Sequence, residues 1–143
     1  MQKYKMISHK WAIERMDSLV NYNGNTNIVY SVLFSVTTKD SEAIYTVIQN
    51  NSVVLNYQNA TSFIDYTDIT EELALSWVKE VLNTRQDVLL NSDGIPQINA
   101  DGSYVLSAPY TWDGCTPIEE SGEAQLKEMI TPTVVTLPLP FNK

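Results

Sequence analysis

Residues 28–37 read Ile28-Val29-Tyr30-Ser31-Val32-Leu33-Phe34-Ser35-Val36-Thr37, and this stretch decides the fold. Ile28, Tyr30, Val32, Phe34 and Val36 share one parity, so an extended chain here carries five large apolar groups on one face. The other parity, Val29, Ser31, Leu33, Ser35 and Thr37, suits a partly solvated face. A strand of this kind must be covered on one side. Upstream, Trp11, Ile13 and Met16 supply a partner arm, and their shift from odd to even parity predicts a bulge near Glu14-Arg15. Asn21–Asn27, with Gly24 among its asparagines, reads as a turn-rich loop, making Lys10–Asp40 a β-hairpin.

Downstream, Lys39–Glu42 turns the chain into a third strand over Ala43–Gln49, apolar on both parities and so expected to be central or covered twice. Asn50-Asn51-Ser52 reads as a further turn, leading to a fourth strand over Val53–Tyr57. Phe63 and Tyr66 are expected to lock the next connection onto the sheet edge. A helix follows at Thr70–Leu82, with Thr70 as N-cap, Glu71 and Glu72 in the first turn, and a stripe of Leu73, Trp77, Val78, Val81 and Leu82. The spacing predicts a second helix from Pro117 to Ile130, with Thr116 and Glu119 as a capping box and Ile118, Leu126, Met129 and Ile130 as its apolar face; Gly122 should weaken it. Between the helices, Asp93-Gly94, Asp101-Gly102 and Asp113-Gly114 mark turns, and Ile95–Ile98 and Tyr104–Leu106 read as a projecting hairpin. No internal repeat stands out. The expected fold class is α+β: an antiparallel β-meander of about four strands packed with two helices, in one domain over 1–130 with a loop and hairpin insert at 91–115, and an extended C-terminal arm at 131–143.

The 143 residues fit one domain, and 43% hydrophobic residues suffice for a core. Charged residues reach only 18%; 12 Asn, 13 Thr and 12 Ser fill the gap, a balance suited to β surfaces and turns. A net charge of −8 argues against a nucleic-acid binder, which needs a basic face, and against polybasic attachment to membranes. The N-terminus has no apolar run of signal-peptide length, and the densest apolar window, Ile28–Val36, is interrupted by Ser31 and Ser35, so neither secretion nor a membrane span is expected.

Chemistry is sparse. His9, the only histidine, reads as a solvated structural residue, and the single cysteine, Cys115, as an inert turn residue. Glu71-Glu72 and Glu119-Glu120-Glu123 fall in helix first turns, where the dipole accounts for them. Asn99–Tyr104 lacks the spacing and terminal Glu of a calcium loop, and no phosphate-cradling glycine motif occurs. The expectation is therefore a non-enzymatic chain with no catalytic residues, metal or cofactor. Two groups are left as partner-binding candidates. Tyr104, Tyr110 and Trp112 lie in the turn-rich insert. Val134, Val135, Leu137, Leu139 and Phe141 lie in a segment where Pro132, Pro138 and Pro140 forbid a regular helix or central strand. At ~3.3 Å per residue such an arm reaches ~40 Å, and its apolar groups call for a surface to pack on.

Trp11-Ala12-Ile13, Phe63-Ile64-Asp65-Tyr66, Asp68–Glu71 running into the helix with Trp77-Val78, the Glu/Gln-rich second helix, and Thr131-Pro132-Thr133-Val134-Val135 with a Leu-Pro-aromatic ending together resemble a small family of marine bacteriophage proteins, many from cyanophages. The similarity covers most of residues 8–83 and 117–141. It departs at the 91–115 insert, which has no counterpart in the shorter relatives, and at Leu139-Pro140-Phe141, where they tend to end in Pro-Trp. The resemblance implies a viral context: a virion accessory protein such as a capsid decoration or cement protein, or a minor head or tail component, assembled in the host cytoplasm. Its expected partners are other virion proteins in a homo-oligomeric or symmetric assembly, with neither nucleic acid nor membrane. The competing expectation is a soluble phage-encoded protein that binds a host factor.

Overall fold

The computed structural model describes residues 6–42, 44–60, 62–132 and 136–141. It is mixed α+β. Strands β1 (Ile7–Tyr22), β2 (Asn25–Asp40) and β3 (Thr46–Val54) form an antiparallel sheet in the order β1-β2-β3. Helix α1 (Glu71–Leu82), a ribbon of β4 (Thr84–Arg85) and β5 (Tyr110–Thr111), and helix α2 (Thr116–Ile130) follow. The hairpin is longer than its sequence suggests. β1 and β2 each run 16 residues, about 50 Å at ~3.3 Å per residue. The asparagine-rich loop shrinks to Asn23 and Gly24, whose φ values of 51° and 84° give the left-handed two-residue turn that matches strand twist.

The register explains the core. Ile13 pairs with Phe34 and Arg15 with Leu33, so Glu14 is the extra residue of the expected bulge. Its carboxylate folds over the strand and accepts a 2.6 Å hydrogen bond from the Ser35 hydroxyl, which is why Ser35 is buried. A second shift, between Asp17↔Ser31 and Ser18↔Val29, makes Tyr30 the extra residue on β2. The expected face is corrected here: the parity switch turns Val29 into the core beside Val32, Phe34, Val36, Val53 and Val78, while Tyr30 is only partly buried. Each such side chain contributes ~1.5–3 kcal/mol on burial. Trp11 closes this core by stacking on Phe34, with ring centroids 5.6 Å apart and planes within 7°.

The expected meander of about four strands is corrected to a three-stranded sheet. β3 runs straight through Asn50-Asn51-Ser52, because Ser35, Phe34 and Leu33 of β2 hold those residues in register. Backbone pairing against a formed strand outweighs their turn preference. β3 is also an edge strand, neither central nor covered twice: Val47 and Val53 are buried, whereas Ile48 and Val54 are exposed. Ala43, the expected start of this strand, lies outside the described residues.

α1 begins as expected, with Thr70 Oγ1 accepting from Leu73 N–H at 3.1 Å, and buries Ala74 and Val78. α2 begins differently. Cys115 occupies the cap position without a side-chain bond, and Asp113 serves instead, its carboxylate accepting from the N–H groups of Cys115 and Thr116 and from the Thr116 hydroxyl. Gly122, expected to weaken α2, is where the helix touches the sheet: a Cβ there would lie 2.5 Å from Thr38 Oγ1 and 2.8 Å from Gln49 Oε1.

Glu71 and Glu119 lie in helix first turns as expected, whereas Glu123 lies a turn further along α2, and all three carboxylates do more than complement a dipole. Glu71 Oε2 accepts from Ile13 N–H, Glu119 Oε2 accepts from Trp11 Nε1 at 3.1 Å, and Glu123 Oε1 lies 2.9 Å from His9 Nε2. All three reach β1. His9 is accordingly not solvated: its ring is 14% exposed and bridges Glu123 to the buried Thr38 hydroxyl, 2.9 Å from Nδ1.

Candidate functional site

The segment between the helices carries a repeat that composition hides. Asn91-Ser92-Asp93-Gly94 recurs eight residues later as Asn99-Ala100-Asp101-Gly102, and Ser107-Ala108-Pro109-Tyr110 takes the third place. Three bridges follow the same period: Leu90↔Pro96, Ile98↔Tyr104 and Leu106↔Val88, the last closing the series on itself. The hydrogen bonds are cyclic. Leu89 N–H donates to Val105 O at 2.9 Å, Val105 N–H to Gln97 O at 3.0 Å, and Gln97 N–H to Leu89 O at 2.9 Å. Outside this ring, Asn91 N–H donates to Ile95 O, Asn99 N–H to Ser103 O, and Ser107 N–H to Asp87 O, at 2.7–2.8 Å. The result is a tripod of three antiparallel legs with approximate threefold symmetry.

Two legs are hairpins, and the third is the stalk through which the chain enters and leaves. Each hairpin turns at a glycine of positive φ, 78° at Gly94 and 90° at Gly102. Side chains hold the tips: Asn91 Oδ1 accepts from the N–H groups of Asp93 and Ile95, and Asp101 Oδ1 from the N–H and hydroxyl of Ser103. Ser103's hydroxyl holds the Asp101 carboxyl below its ordinary range. In the stalk, Ser107 Oγ accepts from Asp87 N–H at 3.0 Å, the part that Asn91 Oδ1 plays for Ile95 in the first leg.

The stalk is rooted on the end of α1. Trp112 N–H donates to Asn83 O, Gly114 N–H donates to Asn83 Oδ1 at 2.8 Å, and a Cβ at Gly114 would run into the Leu82 carbonyl. β4 and β5 pair Thr84 with Thr111 and Arg85 with Tyr110. The Arg85 guanidinium lies 4.8 Å over the Trp112 ring, and Tyr110 OH donates to Asp87 Oδ2 at 2.8 Å, which pushes the phenol pKa up.

Pairing and alternation determine what the tripod presents. Residues i and i+2 share a side, and so do paired residues, so Val88, Leu90, Pro96, Ile98, Tyr104 and Leu106 all lie on one face. All six are exposed. Of the partner-binding candidates, Tyr104 thus sits on this face, while Tyr110 and Trp112 belong to the stalk. Leu137, Leu139 and Phe141 are exposed in a segment, 136–141, with no regular secondary structure. Val134 and Val135 lie outside the described residues. The aliphatic members of the face, Val88, Leu90, Ile98 and Leu106, were missed at the sequence level; the eight-residue spacing of Asn-x-Asp-Gly was the signal that could have found them.

Elsewhere, a cleft of about 670 Å³ opens between the end of the sheet and α1, lined chiefly by Ile28, Leu55, Phe63, Ile69, Trp77 and Val81. Burial pushes the Cys115 thiol pKa up, the opposite of what a nucleophile needs. Among the described residues no cluster of three or more His, Cys, Asp or Glu could hold a metal ion, and no helix is long and apolar enough to cross a membrane.

Residues 6–112 match the family model described as Domain of unknown function (DUF7936). The chain belongs to this family. The DUF7936 match takes in the sheet, α1 and all three octads of the tripod, and stops before α2. No curated protein and no solved structure matches the chain.

Proposed function

We propose that this DUF7936 chain is a non-enzymatic docking component of a larger assembly. In particular, we read it as a bacteriophage virion accessory protein, a capsid decoration or cement protein or a minor head or tail component, that holds neighbouring subunits. One observation carries the docking reading: a tripod of about three octads projects its apolar side chains outward and leaves them exposed. Exposed apolar surface concentrated on a projecting element marks a contact site. Leu137, Leu139 and Phe141 support a second contact, an arm over residues 131–143 that crosses onto a neighbouring subunit. The phage and virion part of the reading rests on the family resemblance drawn from sequence. Mass spectrometry of purified particles tests it, with the infected-cell lysate as reference. The chain should co-purify with particles in stoichiometric amount, and deletion of residues 131–143 should release it. Presence in the lysate but not in particles overturns the virion reading, and normal incorporation after the deletion overturns the arm.

A further inference from the structure

At one of the two face positions in each octad the tripod repeats its exposed chemistry as well as its hydrogen bonds, while the other holds Val88, Pro96 and Tyr104. Leu90, Ile98 and Leu106 occupy equivalent places in the three octads, all are aliphatic, and they are 55%, 62% and 47% exposed. We propose that this face docks end-on against a homotrimeric protein on that protein's threefold axis, so that one copy of the chain caps three partner subunits. The inference rests on the reading of the tripod as a docking surface and adds the partner's symmetry.

One observation points to a trimer, and two disfavour other modes of docking. First, a surface that offers the same aliphatic contact three times around an axis gains nothing from the repetition against an asymmetric partner. The end of a homotrimer presents its own surface three times around an axis, so each subunit can take one equivalent contact. Second, the backbone at the centre is closed. The N–H and C=O groups of Leu89, Gln97 and Val105 are all used within the ring, so a partner strand cannot pair with the centre of the junction, and recognition there runs through side chains. Third, the face itself carries no charged side chain, and the two leg tips carry Asp93 and Asp101, whereas Asp87 on the stalk is ion-paired with Arg85 at 3.1 Å. Two copies meeting face to face would bring acidic tips together, which disfavours a second copy of this chain.

The test places a photo-crosslinking benzoylphenylalanine singly at Leu90, Ile98 or Leu106 of the full chain, expressed in the cells that make its partner. Adducts are mapped by peptide mass spectrometry, and the complex is weighed intact. The expected result is one partner polypeptide, crosslinked through the same peptide from all three positions, in a complex of three partner copies to one chain. Ile98→Asp, which leaves the ring hydrogen bonds in place, should weaken that complex tenfold or more. An equimolar complex, an adduct with a second copy of this chain, or three unrelated partner peptides overturns the trimer while leaving docking intact. No adduct from any of the three positions, with ring amides still protected from exchange, overturns the docking reading and the trimer together.

Discussion

Replacing Gly122 by alanine should destabilise this protein, although the same change in an isolated helix stabilises it by ~1 kcal/mol. The added Cβ would lie 2.5 Å from Thr38 Oγ1 and 3.2 Å from Thr38 Cβ. Gln49 Oε1, at 2.8 Å, ends a flexible side chain and can swing aside, but Thr38 is fully buried, β-branched and bound to His9. Two responses remain. The helix can lift by about 1 Å to restore ordinary contact near ~3.5 Å, opening space around Leu126, or Thr38 can rotate and leave its hydroxyl and the His9 ring without each other. Either response, overpacking or a buried hydroxyl left unpaired, costs ~1–3 kcal/mol, so after the helical gain the net is a loss of up to ~2 kcal/mol. For a chain of this size that lowers the melting temperature by up to about 7 °C. Urea unfolding followed by circular dichroism measures it, with the exposed Glu120→Ala on the same helix as a control expected to change little. If Gly122→Ala unfolds at the same urea concentration as the parent chain or higher, the close packing of α2 on β2 is wrong.

Further outcomes follow from other sites. Asp113's carboxyl is held below its ordinary pKa, first by its hydrogen bond from the Thr116 hydroxyl. The ionised cap therefore stabilises the fold above the ordinary value of 3.8, and that stability is lost as pH falls through the lower folded value. The advantage of the parent over Asp113→Asn should be constant from neutral pH to about pH 5 and shrink in acid; a pH-independent difference contradicts the capping geometry. Burial raises the Cys115 thiol pKa, so its iodoacetamide rate in the folded protein should stay well below that of free cysteine at pH 8 and recover in denaturant. Gly102→Ala should cost ~1–2 kcal/mol through backbone strain alone, because open space surrounds its Cβ. Faster amide exchange at Val105 and Asn99, with the sheet unaffected, is the expected signature; unchanged exchange at both speaks against the tripod turn.

What was legible in the sequence was local. The alternation of Val32, Phe34 and Val36, the bulge at Glu14 and the Thr70 cap each depend on residues within a few positions of one another, and each stands in the structure as expected. What failed depends on distant partners. Asn50-Asn51-Ser52 carries turn chemistry, but the choice between turn and strand was made by β2, which already presented paired backbone groups at Leu33–Ser35. His9 looks solvated beside Ser8 and Lys10, and only the arrival of α2 from over a hundred residues away covers it. The second bulge at Tyr30 leaves no mark, since Ile28 and Val29 are both apolar and either parity reads well. The tripod was readable in part. Two octads keep Asn-x-Asp-Gly, but the third replaces it with Ser107-Ala108-Pro109-Tyr110, because that leg has no tip and leads back to the body.

Ring closure also sets rules for how this chain can vary in length. A solenoid accepts another repeat at its end, whereas the tripod joins its last octad to its first through Leu106 and Val88, so a fourth octad would have no place in the cycle and a missing one would leave two bridges unmade. Change in length is confined to the two tips, around 92–94 and 100–102, where nothing crowds Gly94 or Gly102. A binding loop grafted there would be carried outward on a rigid junction whose geometry stays independent of the insert. The same two tips are where related chains could diverge in target while keeping one scaffold.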